Sequence, residues 1–278
     1  MAHSLSPRIH NTAFATQQIN AVYAASQVGA DHLSDAVDGL RALRVLGANV
    51  TIPHKETIAP LLDTLTDRAR AVGAVNTIVS GTNEAGELRL HGDNTDVAGF
   101  LAPLHEVGGL NQAPITILGA GGAARAVAYG LGTAYAPARL TVAARRPEQA
   151  QTLLDALAPH LNTDATTLQA VPLDDAHSAV SASRLVVNAT PVGMAPNTEA
   201  TPWPDASSFT SDHLVYDLVY TPRRTRLLRE AETQGAQTQD GLAMLIGQAA
   251  AAYKQWTGQP MPTQAVRDEV IATLASSD

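Results

Sequence analysis

Residues 115–126 read ITILGAGGAARA, and no other stretch of the chain restricts the fold so strongly. A short apolar run leads straight into a glycine-rich turn, and the turn leads into an alanine-rich segment suited to a helix. Gly119, Gly121 and Ala124 hold the G-x-G-x-x-G/A spacing between a strand and a helix, the context in which that spacing carries meaning. The first glycine permits the tight turn. The second lets backbone N–H groups approach a pyrophosphate, and the small third residue keeps the helix close to the sheet. The helix start then presents free N–H groups and a positive dipole end to the phosphates. Such a unit belongs to a parallel, doubly wound sheet, so the chain is expected to be α/β.

The flanking sequence agrees. Apolar, β-branched runs at 19–28, 47–52, 74–80, 88–92, 140–145, 168–173, 185–190 and 214–219 read as strands. Helical periodicity falls on 12–18, 34–46 with Ser34 as N-cap, 56–71, 96–107, 147–158, 224–234, 241–256 and 263–275. A length of 278 residues suits two domains. The expected division is a substrate-binding and catalytic domain from 1–95 plus 241–278, and a Rossmann-type dinucleotide domain from 96–240, with a cleft between them. The last helices are expected to return to the first lobe, covering a parallel sheet there.

Several function classes drop out. The net charge of −8 argues against a nucleic-acid surface. The absence of cysteine removes disulfides and thiolate sites. The nine histidines show no metal-ligand spacing, and no G-x-S-x-G elbow is present. The segment MAHSLSPRIHN lacks the charged and apolar regions of a signal peptide. The apolar stretch 115–138 carries glycines and Arg125, which suit a buried βα unit better than a membrane span. A cytoplasmic protein acting on a small molecule is expected, with no membrane or nucleic-acid partner, no metal, and a homodimer as the assembly to consider.

Two further features point to chemistry. After the second strand of the dinucleotide unit, where NAD binders place an acid on the ribose 2′-OH, this chain has Ala144, Arg145 and Arg146. Two guanidiniums suit a 2′-phosphate, so NADP is expected. In the first lobe, Ser4, Ser6, Thr51, Lys55, Asn76, Asn94 and Asp96 fall at strand ends or in short loops, where ligands of open α/β sheets collect. The chain has 16 arginines and only two lysines, Lys55 and Lys254. Arginine does not give up its proton in a protein, whereas lysine does when burial or cationic neighbours favour it. Lys55 is therefore the candidate proton donor and acceptor, with Asp96 to orient it. A plain Lys55–Asp96 ion pair is the alternative, although arginine would serve that purpose equally well.

In order along the chain, HSLSPRIHN, NVTIPHK, GAVNT, GDNTD, GAGGAARA, NATPVGM, DLVYTPRRTRLL and DGLAMLIGQAAAAYKQWTG together resemble the shikimate dehydrogenase family. The resemblance runs through nearly the whole chain. It implies NADP-dependent, reversible reduction of 3-dehydroshikimate to shikimate on the route to aromatic amino acids, with Lys55 and Asp96 as the catalytic pair. It places Ser4, Ser6, Thr51, Asn76, Asn94, Tyr220 and Gln248 at substrate-binding positions. It places Gly119, Ala120, Gly121, Gly122 and Ala123 on the cofactor phosphates, Ala144, Arg145 and Arg146 at its ribose end, Leu218 and Gly241 along the nicotinamide, and Asp67 at an acidic cofactor position.

The chain departs from the family pattern at three places. Ala144-Arg145-Arg146 replaces Asn-Arg-Thr or Asn-Arg-Ser, and Pro191 stands where Ser is common. Family members also begin with a short strand ahead of the H-S-x-S-P block, where this sequence starts at Met1. Neighbouring strands are expected to lack ladder partners there. The alternatives are a quinate/shikimate dehydrogenase that uses NAD, and a non-catalytic sensor of shikimate-like ligands and NADP.

Overall fold

A computed structural model describes residues 4–275. It divides into two compact units, Met1–Gly99 with Ile246–Asp278, and Phe100–Leu245.

The first unit opens with α1 (Ser6–Thr16), started by Pro7, whose missing N–H costs nothing in a first turn. Residues 19–28, expected as a strand, form none and pair with no strand. The Asn11 side chain instead clamps both backbone groups of Tyr23. The helix α2 (Leu33–Ala42) starts from His32, so Ser34 lies inside its first turn and is not the cap. The sheet is built from β1 (Gly47–Asn49), β2 (Thr64–Leu65), β3 (Thr77–Thr82) and β4 (Leu88–Asp93), in the order β1-β3-β4-β2. Only β2 and β4 are parallel. The other pairings are antiparallel, β3 and β4 as a hairpin closed by the loop 83–87. This corrects the expected parallel sheet.

The helix expected at 56–71 is broken into a 3₁₀ turn at Ala59–Leu61, the short β2, and α3 (Asp67–Val72). Pro60 and the N-cap of Thr66, whose hydroxyl accepts from the Ala69 amide at 3.2 Å, account for the break. Val37, Val50, Ile58, Val75, Ile78 and Leu90 form the core. Near the C-terminus, α10 (Thr263–Ala275) packs against α1, with Arg8 and Glu269 paired at 2.5 Å. The chain leaves this unit through α4 (Thr95–Leu101) and returns through α9 (Leu242–Thr257).

The second unit holds β5 (Pro114–Leu118), α5 (Gly122–Tyr135), β6 (Arg139–Ala144), α6 (Pro147–Leu157), β7 (Thr167–Pro172), α7 (His177–Ser181), β8 (Leu185–Asn188), β9 (Leu214–Asp217), α8 (Arg226–Thr233) and β10 (Gln237–Gln239). Its sheet is entirely parallel, in the order β10-β9-β8-β5-β6-β7. Counted within the unit this is the doubly wound 3-2-1-4-5-6 order, and the switch point lies between β5 and β8. Ile115, Ile117, Val142, Leu185 and Val187 face one buried cluster, while Leu118, Val186 and Val215 face another. Burial on both faces is why these strands read as continuous apolar runs. The polar edge strand β10 gave no such signal.

Candidate active site

In the first unit, the loop after β1 carries Lys55, whose carbonyl accepts from the Val75 amide at 2.7 Å. Its Nζ donates to Asp96 Oδ2 at 2.7 Å. Asp96 lies in the first turn of α4, and its Oδ1 accepts from Asn76 Nδ2 at 2.8 Å. Both carboxylate oxygens are thus engaged, each by one donor. The two charged side chains are partly exposed, 28% for Lys55 and 15% for Asp96. An ammonium carries three donors, so two hydrogens remain for another acceptor.

Asn94 lies two residues from Asp96 and is buried. Its Nδ2 donates to the Ala74 carbonyl at 3.0 Å, while its Oδ1 is a buried acceptor with no partner among the described residues. Such an acceptor carries a desolvation cost until a donor reaches it, and a ligand hydroxyl would supply one. Thr51 is exposed, and its carbonyl accepts from the His54 amide. Ser4 and Ser6 lie at the start of α1, the Ser6 amide donating to Ser4 Oγ at 3.4 Å. Gln248 belongs to α9. Asp67 is fully exposed at the start of α3, 3.6 Å from Arg70. No hydrogen bond among the described residues joins Asp67 to the Lys55 cluster.

Sequence reasoning missed Asp93. This buried carboxylate accepts from Thr66 Oγ1 (2.6 Å), Arg68 Nε (2.7 Å), Gln255 Nε2 (2.8 Å) and the Asn94 amide (2.8 Å), and Arg68 Nη2 pairs with it as well. Burial would raise its pKa, but the hydrogen bonds from Arg68 and Thr66 prevail and hold it down at about 2. Asp93 therefore ties the turn that carries Asn94 and Asp96 to α3 and α9. Its place inside GDNTD was the one available signal.

The second unit carries the glycine turn. Gly119 has φ +104°, and a Cβ there would meet Thr190 Cγ2 at 2.6 Å, so only glycine suits the position. Gly121 caps α5 with no side-chain hydrogen bond. A Cβ on Gly121 or Gly122 would meet nothing within 4 Å, and Ala123 is exposed. The first N–H groups of a fourteen-residue helix thus open onto unfilled space, with Ala120 half-buried beside them. Ala144 ends β6, and Arg145 and Arg146 follow it, both exposed and without an acidic partner among the described residues. An open N–H cradle with two free guanidiniums on the next strand end fits a dinucleotide carrying a 2′-phosphate.

Beyond β9, Leu218 and Tyr220 are half-buried. Gly241 lies so close to the Leu218 carbonyl that any side chain there would overlap it. Asp217 braces this wall. It accepts from Asn188 Nδ2 (2.8 Å), the Val219 amide (3.0 Å) and Thr225 Oγ1 (2.7 Å). It has no cation beside it, and burial pushes it up to about 6. Asn188 in turn accepts from the Thr190 amide and hydroxyl. Among the described residues, no helix is long and apolar enough to cross a membrane, and no cluster of ligating side chains could hold a metal.

A doubly wound sheet with an open glycine turn, in one chain with a separate α/β unit bearing a paired lysine and aspartate, defines a two-unit dinucleotide-binding α/β protein of the dehydrogenase class. Comparisons with known proteins are more specific. Residues 1–78 match the shikimate dehydrogenase substrate binding domain, and residues 241–271 match the shikimate 5'-dehydrogenase C-terminal domain. The shikimate dehydrogenase (NADP(+)) of Salinibacter ruber is 59% identical, over 97% of this chain and 93% of its own. The crystal structure of Listeria monocytogenes shikimate 5-dehydrogenase, in complex with shikimate and NAD, superposes with a TM-score of 0.89 at 35% identity, covering 97% of this chain and 93% of that one. The quinate dehydrogenase of Corynebacterium glutamicum, in complex with NAD, gives a TM-score of 0.87 at 33% identity, covering 97% and 95%. The chain belongs to the shikimate dehydrogenase family.

Proposed function

We propose that this protein is an NADP-dependent oxidoreductase that reversibly reduces 3-dehydroshikimate to shikimate in aromatic amino acid biosynthesis. The observation that carries the reading is the Lys55–Asp96–Asn76 cluster, with its 2.7 Å ion pair, in a chain 59% identical to a shikimate dehydrogenase (NADP(+)). Bound NADPH supplies the hydride that the carbonyl carbon of the substrate accepts. Lys55 then passes a proton from Nζ to the developing alkoxide oxygen, and in the reverse direction takes it back from the hydroxyl. Asp96 holds the ammonium in place through Oδ2 and bonds a substrate hydroxyl. Positioned acid–base help of this kind is worth about 10²–10⁴-fold in rate.

Ser4, Ser6, Thr51, Asn76, Asn94, Tyr220 and Gln248 bind the substrate's polar groups, the buried Asn94 Oδ1 taking a hydroxyl hydrogen. Gly119, Ala120, Gly121, Gly122 and Ala123 receive the cofactor's pyrophosphate on their backbone. Ala144, Arg145 and Arg146 take the ribose end, with the two guanidiniums on the 2′-phosphate. Leu218 and Gly241 border the nicotinamide, and Asp67 is a further cofactor contact. In this reading residues 1–95 and 241–278 form the substrate domain and 96–240 the NADP domain. The enzyme works in the cytoplasm, without nucleic acid, and a homodimer is the assembly to test.

The likeness to a quinate dehydrogenase in complex with NAD supports a second reading, oxidation of quinate with NAD. The arginine pair, standing where an acid would end β6, weighs against it. One assay separates the two: shikimate or quinate is mixed with NADP⁺ or NAD⁺ and the absorbance of the reduced nicotinamide is followed. Turnover with shikimate and NADP⁺, falling by at least about 10²-fold in Lys55→Ala, is the expected result. Preference for quinate and NAD⁺ would establish the second reading. A near-normal rate in Lys55→Ala would remove Lys55 from the chemistry.

A further inference from the structure

Behind the Lys55–Asp96 pair lies a chain of hydrogen bonds in which each donor faces the same way. The Tyr23 hydroxyl donates to Asn49 Oδ1 at 3.0 Å. Asn49 Nδ2 donates to the Asn76 carbonyl at 3.3 Å and to Thr77 Oγ1 at 3.2 Å. Thr77 Oγ1 donates to Asn76 Oδ1 at 3.0 Å, and Asn76 Nδ2 donates to Asp96 Oδ1.

Groups that can act in only one way fix this direction. The Asn76 carbonyl only accepts, so the Asn49 atom facing it is the amide nitrogen. That nitrogen also faces Thr77 Oγ1, which leaves the threonine's single hydrogen for its other neighbours, Asn76 Oδ1 and Thr95 Oγ1 at 2.9 Å. The Thr95 backbone N–H only donates. It lies 2.7 Å from Asn76 Oδ1, which Thr95 Oγ1 also approaches at 3.1 Å. Asn76 therefore presents its oxygen to three donors and its nitrogen to Asp96. Asn76 is 2% exposed, and Thr77 and Thr95 are 0% exposed, so water does not substitute for these bonds. Burial raises the Tyr23 phenol to about 12, against a hydrogen bond from Ser6, which keeps it a donor at working pH.

We infer that Tyr23, Asn49, Thr77 and Thr95 are positioning residues: they lock the Asn76 amide so that it holds Asp96 with Oδ2 turned to Lys55. Aligned donors of this kind reinforce one another in a buried setting. The effect on turnover rests on the proposed function, whereas the effect on the lysine's placement does not.

The test uses the full chain with Thr77→Val, which keeps the shape and removes the hydroxyl, and Thr77→Ser, which returns it. Thr77→Val should lower kcat for shikimate roughly tenfold, the equivalent of one hydrogen bond, with KM for NADP⁺ unchanged, and Thr77→Ser should recover most of the loss. Tyr23→Phe, one step further out, should fall in the same direction by less. A readout independent of activity exploits the two lysines. Reductive ¹³C-methylation gives dimethyl signals from Lys55, Lys254 and the α-amino group, which is set apart by its lower pKa, and Lys254→Arg assigns the two lysines. The two methyls of a nitrogen held in one ion pair are inequivalent. Lys55 should show a split pair in the parent and in Thr77→Ser, and a single averaged signal in Thr77→Val. If the parent does not oxidise shikimate but the splitting behaves as stated, the proposed function fails and the positioning role stands. Retention of the split signal in folded Thr77→Val, or loss of melting temperature with kcat intact, would overturn the inference.

Discussion

At position 55 the requirements of charge and of proton exchange separate. An arginine there would keep the positive charge and could bond both oxygens of Asp96, whose Oδ2 already lies 2.7 Å from Nζ. It would not release a proton, because the guanidinium stays charged throughout the working range. Lys55→Arg is therefore expected to retain the melting temperature and the KM for shikimate to within about threefold, while kcat falls by about 10²-fold or more. Steady-state kinetics beside a thermal melt measure both. A variant with parental kcat would reduce Lys55 to a structural cation. A variant that lost only stability would lead to the same conclusion.

At the scale of elements, the proposed contact with the 2′-phosphate falls on the turn from β6 into α6. Arg146 is the N-cap of α6, yet its side chain caps nothing, and Arg145 beside it is exposed. Neither guanidinium is committed to the fold, so both can be removed without loss of packing. Arg145→Ala and Arg146→Ala should each raise KM for NADP⁺ by about tenfold, the scale of a charge-assisted hydrogen bond, and leave KM for NAD⁺ unaltered. Equal effects on the two cofactors would move the 2′-phosphate elsewhere.

This turn was readable in the sequence because β5 and β6 are buried on both faces and the helices after them open on glycine and proline. The first unit was harder to read. Its strands are short and half exposed, β2 spans only Thr64–Leu65, and Pro60 and Thr66 end and restart structure inside one apolar stretch. Lys55, Asn76 and Asp96 could be picked out as polar residues at strand ends, and the structure brings those three together. The second layer of Thr77, Thr95, Asn49 and Asp93 could not, because a buried threonine or asparagine in a strand looks the same whether it braces a site or merely fills a sheet.

Across the whole molecule the buried titrating groups set the two units on opposite courses with pH. In the first unit the His10 ring packs against Tyr23 at 4.6 Å and Trp256 at 4.9 Å. Burial pushes its pKa down to about 4, the neighbouring Asn49 side chain offsetting only part of this. Between its ordinary value of 6.5 and about 4, the unfolded chain binds a proton that the folded one refuses. Stability therefore falls on acidification, by on the order of 3 kcal/mol in full. Asp93, held at about 2, adds a loss of the same sign below its ordinary range. Asp63, also held at about 2 by the Leu90 amide with Arg41 and Arg89, adds a further one that salt screens at the surface.

In the second unit Asp217, raised to about 6 from 3.8, behaves in the reverse sense. Within that window the folded state keeps a proton the unfolded state has lost, so stability rises on acidification, again by on the order of 3 kcal/mol. Asp205, lowered by Ser207, and Glu232, lowered by Arg224, oppose it only weakly, since charges near the surface are screened. Hydrogen exchange followed from pH 6.5 to 4, corrected for intrinsic rates, should show amides at Val75, Ile78 and Leu90 losing protection while those of β5, β8 and β9 hold or gain it. In Asp217→Asn the gain should vanish and the loss in the first unit should persist. If both units lost protection together and the Asn variant changed nothing, the carboxylate at 217 would already be charged in the fold, and its bracing of the wall at Leu218 and Gly241 would have to be explained with a buried anion.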